Sequence, residues 1–117
     1  MNNIQNINFM RSLTNLSAVY LRYNNISFME PLRNLTNLEV LDLYCNELFN
    51  VNEIQIFTNF KKLRNLNIVA NPIDKEITVE QLRWVFPIVP EVLDCNILRK
   101  AVVNCEMPLY SPFEHEL

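Results

Sequence analysis

The sequence predicts an α/β fold built from stacked structural repeats, and three observations support this prediction. An eleven-residue pattern, L-x-x-L-x-L-x-x-N-x-L, occupies residues 38–48 and occurs in three copies. Two of its leucines stand two residues apart, which is typical of a strand with one buried face. The copies start 22 and then 25 residues apart. At such a period each repeat forms one supersecondary unit that buries its apolar side against the next.

The three copies predict three short strands whose inner residues point into one core. We expect these strands at residues 18–22, 40–44 and 65–69. An asparagine follows each strand, and its carboxamide is expected to have a structural role, bonding the backbone groups that the turn leaves unpaired. The pattern residues are Leu16, Val19, Leu21, Asn24 and Ile26, then Leu38, Leu41, Leu43, Asn46 and Leu48, then Leu63, Leu66, Ile68, Asn71 and Ile73.

The segments that connect the strands have two different predicted forms. From Ile26 to Leu41 an apolar residue occurs at every third position. This spacing fits a 3₁₀ helix, in which residues i and i+3 eclipse, or an irregular segment better than an α-helix, and Pro31 is placed to begin it. The next connecting segment is three residues longer, and Asn52 and Gln55 have the spacing of a capping box. We therefore predict an α-helix at residues 53–61.

The start of the chain matches the second half of a repeat. The strand expected before Asn2 is absent, so the strand at 18–22 is predicted to have an open edge. Either residues 1–14 fold over this edge, or another chain pairs with it, which would allow a homodimer through the N-terminal edge strand. The chain could instead be a fragment of a longer repeat array. The matching residues are Asn2, Ile4, Ile7, Met10 and Leu13, which stand 22 positions before Asn24, Ile26, Met29, Leu32 and Leu35.

After residue 73 the repeat pattern gives way to a predicted helical cap. Thr78 and Gln81 have the spacing of a capping box, and Ile77 and Leu82 are placed as its hydrophobic staple. Leu82, Val85 and Phe86 form the apolar side of a helix that Pro87 ends. A final strand is predicted at residues 91–95. The chain thus divides into repeats at 1–73, the first one partial, a C-terminal cap at 74–98 and a tail at 99–117.

The three copies resemble the leucine-rich repeats of the short, 22-residue subclass, and the resemblance covers residues 2–98. This subclass includes the regulatory subunit of the type 1 protein phosphatase, dynein outer-arm light chains and the spliceosomal A-prime protein. The resemblance implies a right-handed leucine-rich-repeat solenoid with a short parallel β-sheet on its concave face, 3₁₀ and α segments on its convex face and a helical C-terminal cap. The family's cap features occur in order as Asn71-Pro72-Ile73, Arg83, Pro87 or Pro90, and Leu93-Asp94, although the spacing of the prolines departs from the usual form.

The charge and composition argue against several classes of function. A net charge of −3 and a pI near 5.1 oppose direct nucleic-acid binding. The basic clusters Lys61-Lys62-Arg64 and Arg99-Lys100 are short enough to be solvated faces. No apolar run approaches the length of a membrane span, and the first residues lack the features of a signal peptide. We expect a soluble intracellular protein, cytoplasmic or nuclear, and the odd count of three cysteines fits a reducing compartment.

Groups for catalysis or metal binding are scarce in this sequence. The single histidine, His115, lies near the end, and the spacing of Cys45, Cys95 and Cys105 does not match a zinc site. Glycine is absent, so no glycine-rich loop can hold phosphate. We predict no enzyme activity, no metal and no cofactor. The abundant asparagines are expected in part to supply turns with positive φ, a nucleotide bias of the source genome being the other explanation.

The outward residues of the strands form the predicted partner-binding site. Tyrosine and arginine are enriched where protein partners bind, and a curved sheet does not cover such side chains itself. Trp84 is a second candidate because it lies off the apolar side of its helix, with packing under the tail as the alternative. The outward columns are Ala18/Val40/Asn65/Val92, Tyr20/Asp42/Asn67/Asp94 and Arg22/Tyr44/Val69/Asn96. The predicted partner-binding residues are Tyr20, Arg22, Tyr23, Asp42, Tyr44, Asn67, Val69, Asp94 and Trp84.

These observations favour a non-catalytic module, a scaffold or a regulatory subunit, that binds a partner protein through the concave sheet. Two alternatives stay open. The chain could be a subunit of a nucleoprotein assembly that holds an RNA-binding partner, since the acidic charge fits indirect association with RNA better than direct contact. It could also be a structural segment of a longer repeat protein.

Overall fold

The computed structural model describes residues 2–85, which form a small parallel β-sheet packed against 3₁₀ helices. The strands are β1 (Ala18–Tyr20), β2 (Val40–Asp42) and β3 (Asn65–Asn67), and an α-helix, α1, spans Val79–Val85. The 3₁₀ helices span Asn8–Ser12, Glu30–Leu32, Val51–Asn59 and Pro72–Lys75. The predicted strand at 91–95, the end of the cap helix at Phe86 and Pro87, and the predicted tail lie outside the described residues.

The sheet has the strand order β1-β2-β3, and both pairs of strands are parallel. Ala18 aligns with Val40 and Asn65, and the same register continues through the next two residues of each strand. Parallel neighbours require a crossover connection, and the 3₁₀ helices between the strands supply it. The predicted parallel sheet and its register are therefore confirmed for these strands, while Val92 lies outside the described residues.

Each strand ends two residues earlier than predicted, although its hydrogen bonding continues beyond the end. The Leu21 N–H donates to the Asp42 carbonyl at 2.8 Å. The side chains at the strand ends bond the backbone two residues on: the Asp42 carboxylate accepts from the Tyr44 N–H at 3.1 Å, and the Asn67 amide oxygen accepts from the Val69 N–H at 3.0 Å. Such a contact favours a turn over an extended strand, which explains the shorter strands.

The 3₁₀ helices follow the three-residue spacing of the buried apolar side chains. The short helix Glu30–Leu32 has Pro31 in its first turn, as predicted. The prediction of an α-helix at residues 53–61 is wrong, because this segment is the 3₁₀ helix Val51–Asn59. Three residues per turn keep side chains at that spacing in one row, whereas 3.6 residues per turn would rotate them away from the core. The buried side chains of this helix are Val51, Ile54 and Phe57.

The capping of this longer 3₁₀ helix also differs from the prediction. Asn50 is the N-cap residue, and its side-chain oxygen accepts a hydrogen bond from the Asn52 N–H at 3.0 Å. Gln55 donates from Nε2 to the Asn52 carbonyl at 3.3 Å, so its amide bonds within the helix. The predicted capping box of Asn52 and Gln55 is wrong, because the helix already begins at Val51.

The core lies between the inner face of the sheet and the 3₁₀ helices. The apolar residues at every third position from Ile26 to Leu41 are all fully buried. Leu13 is 41% exposed, although it stands 22 residues before Leu35, which has no exposed surface. The pattern position alone therefore does not determine burial. The core also contains Ile7, Met10, Val19, Leu43, Leu48, Ile54, Phe57, Phe60, Leu63, Leu66, Ile68, Ile73, Ile77 and Val85.

Helix α1 begins with the capping box that the sequence predicts. The Gln81 N–H donates to the Thr78 hydroxyl at 3.1 Å, and the Thr78 N–H donates to Oε1 of Gln81 at 3.0 Å. Ile77 is buried just before this box, and the Leu82 side chain of the predicted staple lies outside the described part. Between residues 2 and 85, no helix combines the length and apolar character needed to cross a bilayer.

Candidate functional site

Buried asparagines connect each repeat to the one before it. Oδ1 of Asn46 accepts from the Ile26 N–H at 3.1 Å. Its Nδ2 donates to the Leu21 carbonyl at 2.9 Å and to the Leu43 carbonyl at 3.0 Å. One amide thus satisfies backbone groups of two repeats. The equivalent contacts of Asn71 involve the Leu48 N–H and the Leu43 and Ile68 carbonyls.

The residue before each of these asparagines has a left-handed backbone conformation. The φ angle is 62° at Tyr23, 59° at Cys45 and 61° at Ala70, whereas it is −118° at Asn71. The expectation that the asparagines supply the positive φ is therefore wrong at Asn71, where the chain changes direction one residue earlier and the side chain joins two repeats. A left-handed residue other than glycine costs roughly 1–2 kcal/mol, so the asparagine contacts hold these turns against that cost.

A cluster of Arg22, Tyr23, Asp42 and Tyr44, the arginine–tyrosine cluster, lies where β1 and β2 end. Arg22 and Tyr23 are exposed, and Asp42 and Tyr44 are partly buried. The Arg22 Nε donates to Oδ2 of Asp42 at 2.8 Å. The Arg22 guanidinium lies 5.1 Å from the centre of the Tyr44 ring, within the range of a cation–π contact. Tyr23 meets the same ring edge-on at 5.5 Å. These contacts come from neighbouring repeats, so the cluster is ordered before any partner arrives.

Asp42 has a positioning role within this cluster. Its Oδ1 accepts from the Tyr44 N–H at 3.1 Å, while its Oδ2 accepts from Arg22. Only 14% of its side chain is exposed. Asn67, the next residue in that column, likewise bonds the Val69 N–H. Asp42 therefore offers a partner little free carboxylate, and the exposed Arg22 and Tyr23 present most of the cluster's surface.

Tyr20 stands beside the arginine–tyrosine cluster on the outward face of the sheet. Tyr20 is 66% exposed. A shallow cavity of about 230 Å³ lies on this face, between Tyr20 and Arg22 at one end and Asn65 and Asn67 at the other. Sites for small molecules usually enclose about 300–1,000 Å³, so the open and smaller cavity suits a side chain of a protein partner better.

The remaining predicted site residues are less accessible or lie outside the described part. Val69 is partly buried and packs against the core. Trp84 is also partly buried, but against the core; the tail of its alternative interpretation lies outside the described residues. Asp94 lies outside the described residues, as do Cys95, Cys105 and His115. Among the described residues, the structure brings together Tyr20, Asn67 and the arginine–tyrosine cluster on the outward face.

The sequence reasoning missed a second exposed aromatic pair. Phe28 and Phe49 are 56% and 51% exposed, and their rings meet edge-on at 5.4 Å. Between this pair and the tyrosines in the chain, the Asn25 amide donates to the Glu47 carboxylate at 3.2 Å. The signal was present, because both phenylalanines are large apolar residues that occupy no position of the repeat pattern.

Glu53 is a further residue whose role the sequence did not indicate. Its carboxylate accepts from the backbone N–H groups of Met29 and Glu30 at 3.1 and 3.2 Å. It thereby caps the helix Glu30–Leu32 from the following repeat. Burial raises the pKa of Glu53, the Glu30 carboxylate raises it further, and the hydrogen bonds from the two N–H groups partly oppose this rise.

The basic residues near β3 are partly engaged in contacts with the preceding repeat. The Lys62 ammonium donates to Oδ1 of Asn37 at 3.1 Å, and the Arg64 guanidinium pairs with Glu39 at 3.3 Å. Arg64 remains 60% exposed. These contacts agree with the reading of this cluster as a solvated face. No group of three or more metal-ligating side chains occurs within residues 2–85.

Comparison with known proteins adds no identity to these observations. No protein-family model matches the chain. No curated protein matches it either. The functional interpretation therefore rests on this chain's own residues and their geometry.

Proposed function

We propose that this protein is a leucine-rich-repeat solenoid that acts as a non-catalytic protein-binding module. Three copies of the pattern, a parallel sheet with 3₁₀ connections and asparagines that join successive repeats support this architecture. In such a solenoid the outward face of the sheet is the concave side, which offers an extended binding surface. The binding surface proposed here consists of Tyr20 and the arginine–tyrosine cluster.

The observation that carries this proposal is the ordered exposure of these side chains. Tyrosine and arginine dominate the energetics of protein interfaces, because they combine a large contact area with directed polar groups. Here Arg22 is fixed by Asp42 and by the Tyr44 ring. A partner would therefore immobilise few additional rotamers, and this preorganisation lowers the entropic cost of binding.

The same contacts indicate the chemistry of the partner surface. The positive charge of Arg22 is balanced by Asp42, so the cluster has no large net charge to attract a strongly charged ligand. Tyr20, Tyr23 and Tyr44 expose ring surface together with hydroxyl groups that donate and accept hydrogen bonds. The best-matched partner is a protein surface with apolar side chains and neutral polar groups.

An affinity capture with matched variants tests the proposal. The wild-type chain is immobilised and exposed to a lysate of the source cells, in parallel with Tyr20→Ala/Tyr44→Ala and a control, Phe9→Ala/Phe28→Ala. The control removes two exposed aromatic rings that are not part of the proposed surface, and thermal melting first verifies that all three chains are folded. We expect one protein that wild type and control retain and the tyrosine variant loses. Equal retention by all three, or retention by none, would contradict the proposal.

A further inference from the structure

The two edges of β1 differ in their hydrogen bonding. Toward β2, the Ser17 carbonyl accepts from the Val40 N–H at 3.1 Å, and the Leu21 N–H donates to the Asp42 carbonyl. Successive residues of a parallel strand alternate between its two edges. Ala18 and Tyr20 therefore direct their N–H and carbonyl groups away from β2, and among residues 2–85 no strand pairs with that edge.

The amide of Asn24 indicates what is missing at this edge. Asn46 donates from Nδ2 to the Leu21 carbonyl of the preceding strand. Asn24 donates to the carbonyls of Leu21 and Arg22, which belong to its own repeat. Its oxygen is already in place, since it accepts from the Ile4 N–H at 3.1 Å. The described residues provide no preceding strand for the Asn24 amide, although the amide is oriented like those of the interior repeats.

The side chains at the same end are those of an uncovered interior interface. Phe9 and Leu13 are 61% and 41% exposed. The residues 22 positions later, Pro31 and Leu35, are both buried. The same positions therefore become buried wherever a preceding repeat covers them.

We propose that the open edge of β1 binds an extended segment of another polypeptide, which adds to the sheet as a parallel strand in the register that β1 and β2 already use. A strand at this edge would continue the hydrogen-bond pattern of the sheet. The geometry of the β1–β2 pair therefore specifies the orientation and the register of the bound segment. A two-fold dimer would pair β1 with its copy in antiparallel orientation. The carbonyls of the copy would then be out of the parallel register, and none would lie beside the Asn24 amide. Parallel addition uses backbone groups at the edge of β1, whereas the proposed partner surface uses side chains of the outward face.

A peptide that copies residues 36–44 of this chain is a suitable probe, because β2 lies in that register relative to β3. By analogy with that pairing, the peptide's Leu41 and Leu43 N–H groups would donate to the Ala18 and Tyr20 carbonyls. Its Leu43 carbonyl would accept from Asn24, as the Leu43 carbonyl of the chain accepts from Asn71 at 2.9 Å. The peptide ends at its residue 44. Beyond that point it would meet residues 2–4 of the chain, which already bond the backbone of Tyr23 and Asn25.

Backbone methylation of the peptide gives a matched pair of probes. Methyl groups on the peptide nitrogens of Leu41 and Leu43 remove both donors to β1, whereas methyl groups on those of Val40 and Asp42 modify the opposite edge. Binding of each fluorescently labelled peptide to the full chain is measured by anisotropy. We expect the first peptide to bind at least about tenfold more weakly than the second, because two intermolecular hydrogen bonds are lost.

Two further measurements locate the bound peptide. Nuclear magnetic resonance is expected to show shifts of the Ala18 and Tyr20 backbone amides and of the Asn24 side-chain amide. Ala18→Pro removes the outward N–H without touching a donor to β2, and the folded variant is expected to lose peptide binding. The proposal would be overturned by absence of peptide binding or by equal binding of both methylated peptides. It would also be overturned if light scattering gave the mass of a dimer, with a second copy of the chain at the edge.

Discussion

Matching residues at the open end of the sheet and in its interior have different surroundings. Leu35 is fully buried and Leu13 is 41% exposed, although both occupy the same pattern position. The Nδ2 of Asn46 donates to the preceding strand, whereas the Nδ2 of Asn24 donates only to carbonyls of its own repeat. The difference shows that the pattern selects which residues can be buried, and the neighbouring repeat decides whether they are. Much of the stability of stacked repeats lies in the contacts between them.

The largest contrast is expected between the two leucines. Leu35→Ala removes a fully buried side chain and leaves a cavity, so the free energy of unfolding should fall by roughly 2–5 kcal/mol. Leu13→Ala removes a side chain that is partly exposed to solvent, and we expect a loss of about 1 kcal/mol, since only part of its area is withdrawn from water. Urea unfolding followed by circular dichroism measures both. Equal losses would show that the end of the chain is as well packed as its middle.

The asparagines provide the second contrast. Asn46→Ala leaves the buried Ile26 N–H without its acceptor and removes the bond to the Leu21 carbonyl, which keeps only Asn24. This loss should cost roughly 2–3 kcal/mol. Asn24→Ala removes the acceptor of the partly buried Ile4 N–H but no contact to a preceding strand, so about 1 kcal/mol less is expected. The same urea experiment compares them. A larger loss for Asn24→Ala than for Asn46→Ala would be incompatible with this difference.

Much of this comparison could be predicted from the sequence, because the repeat pattern fixes the strands and the asparagines that follow them. The parallel register of Ala18, Val40 and Asn65 follows from equal spacing within each copy. The prediction of an α-helix around Val51–Asn59 is wrong, because it relied on the capping-box spacing of Asn52 and Gln55. The buried side chains of this 3₁₀ helix stand three residues apart. This spacing is present in the sequence and indicates a 3₁₀ helix.

Other features depend on contacts between residues that are distant in sequence. Glu53 caps a helix more than twenty residues earlier, and no local pattern marks that contact. The pairing of Arg22 with Asp42 and Tyr44 requires the register of two strands together with the rotamers of three side chains. The sequence thus indicated the residues of the outward face, but not which of them are fixed by their neighbours.

A smaller effect is expected at the left-handed turn residues. Ala70 has a φ of 61°, so Ala70→Gly relieves steric strain but adds entropy to the unfolded chain. We expect a net gain of a few tenths to about 1 kcal/mol. Ala18→Gly is the matched control, because it replaces alanine in a strand and should lose about 0.5–1 kcal/mol. Thermal melting of both variants shows whether each one is stabilised or destabilised. Destabilisation by Ala70→Gly would contradict the assignment of backbone strain to Ala70.

The smallest effect concerns the pH dependence due to Glu53. Because burial raises its pKa above the ordinary 4.5, the folded chain holds this proton more tightly than the unfolded chain. The Glu53 contribution to stability is therefore greatest below pH 4.5 and declines as the pH rises through the higher folded value. Relative to Glu53→Gln, wild type should lose stability between about pH 4 and pH 7, measured by urea midpoints. A difference that stays constant or grows over this interval would oppose the assigned direction.

Residue-resolved hydrogen exchange of the native protein tests the contrast between the interior and the open end most directly. Val19 and Leu21 face β2, so their amides should exchange slowly, whereas the outward amides of Ala18 and Tyr20 should exchange close to the rate of an unprotected chain. Alternation of slow and fast amides along β1 is the predicted result. Equal protection of all four amides would contradict it, because it would mean that the edge of β1 is already paired.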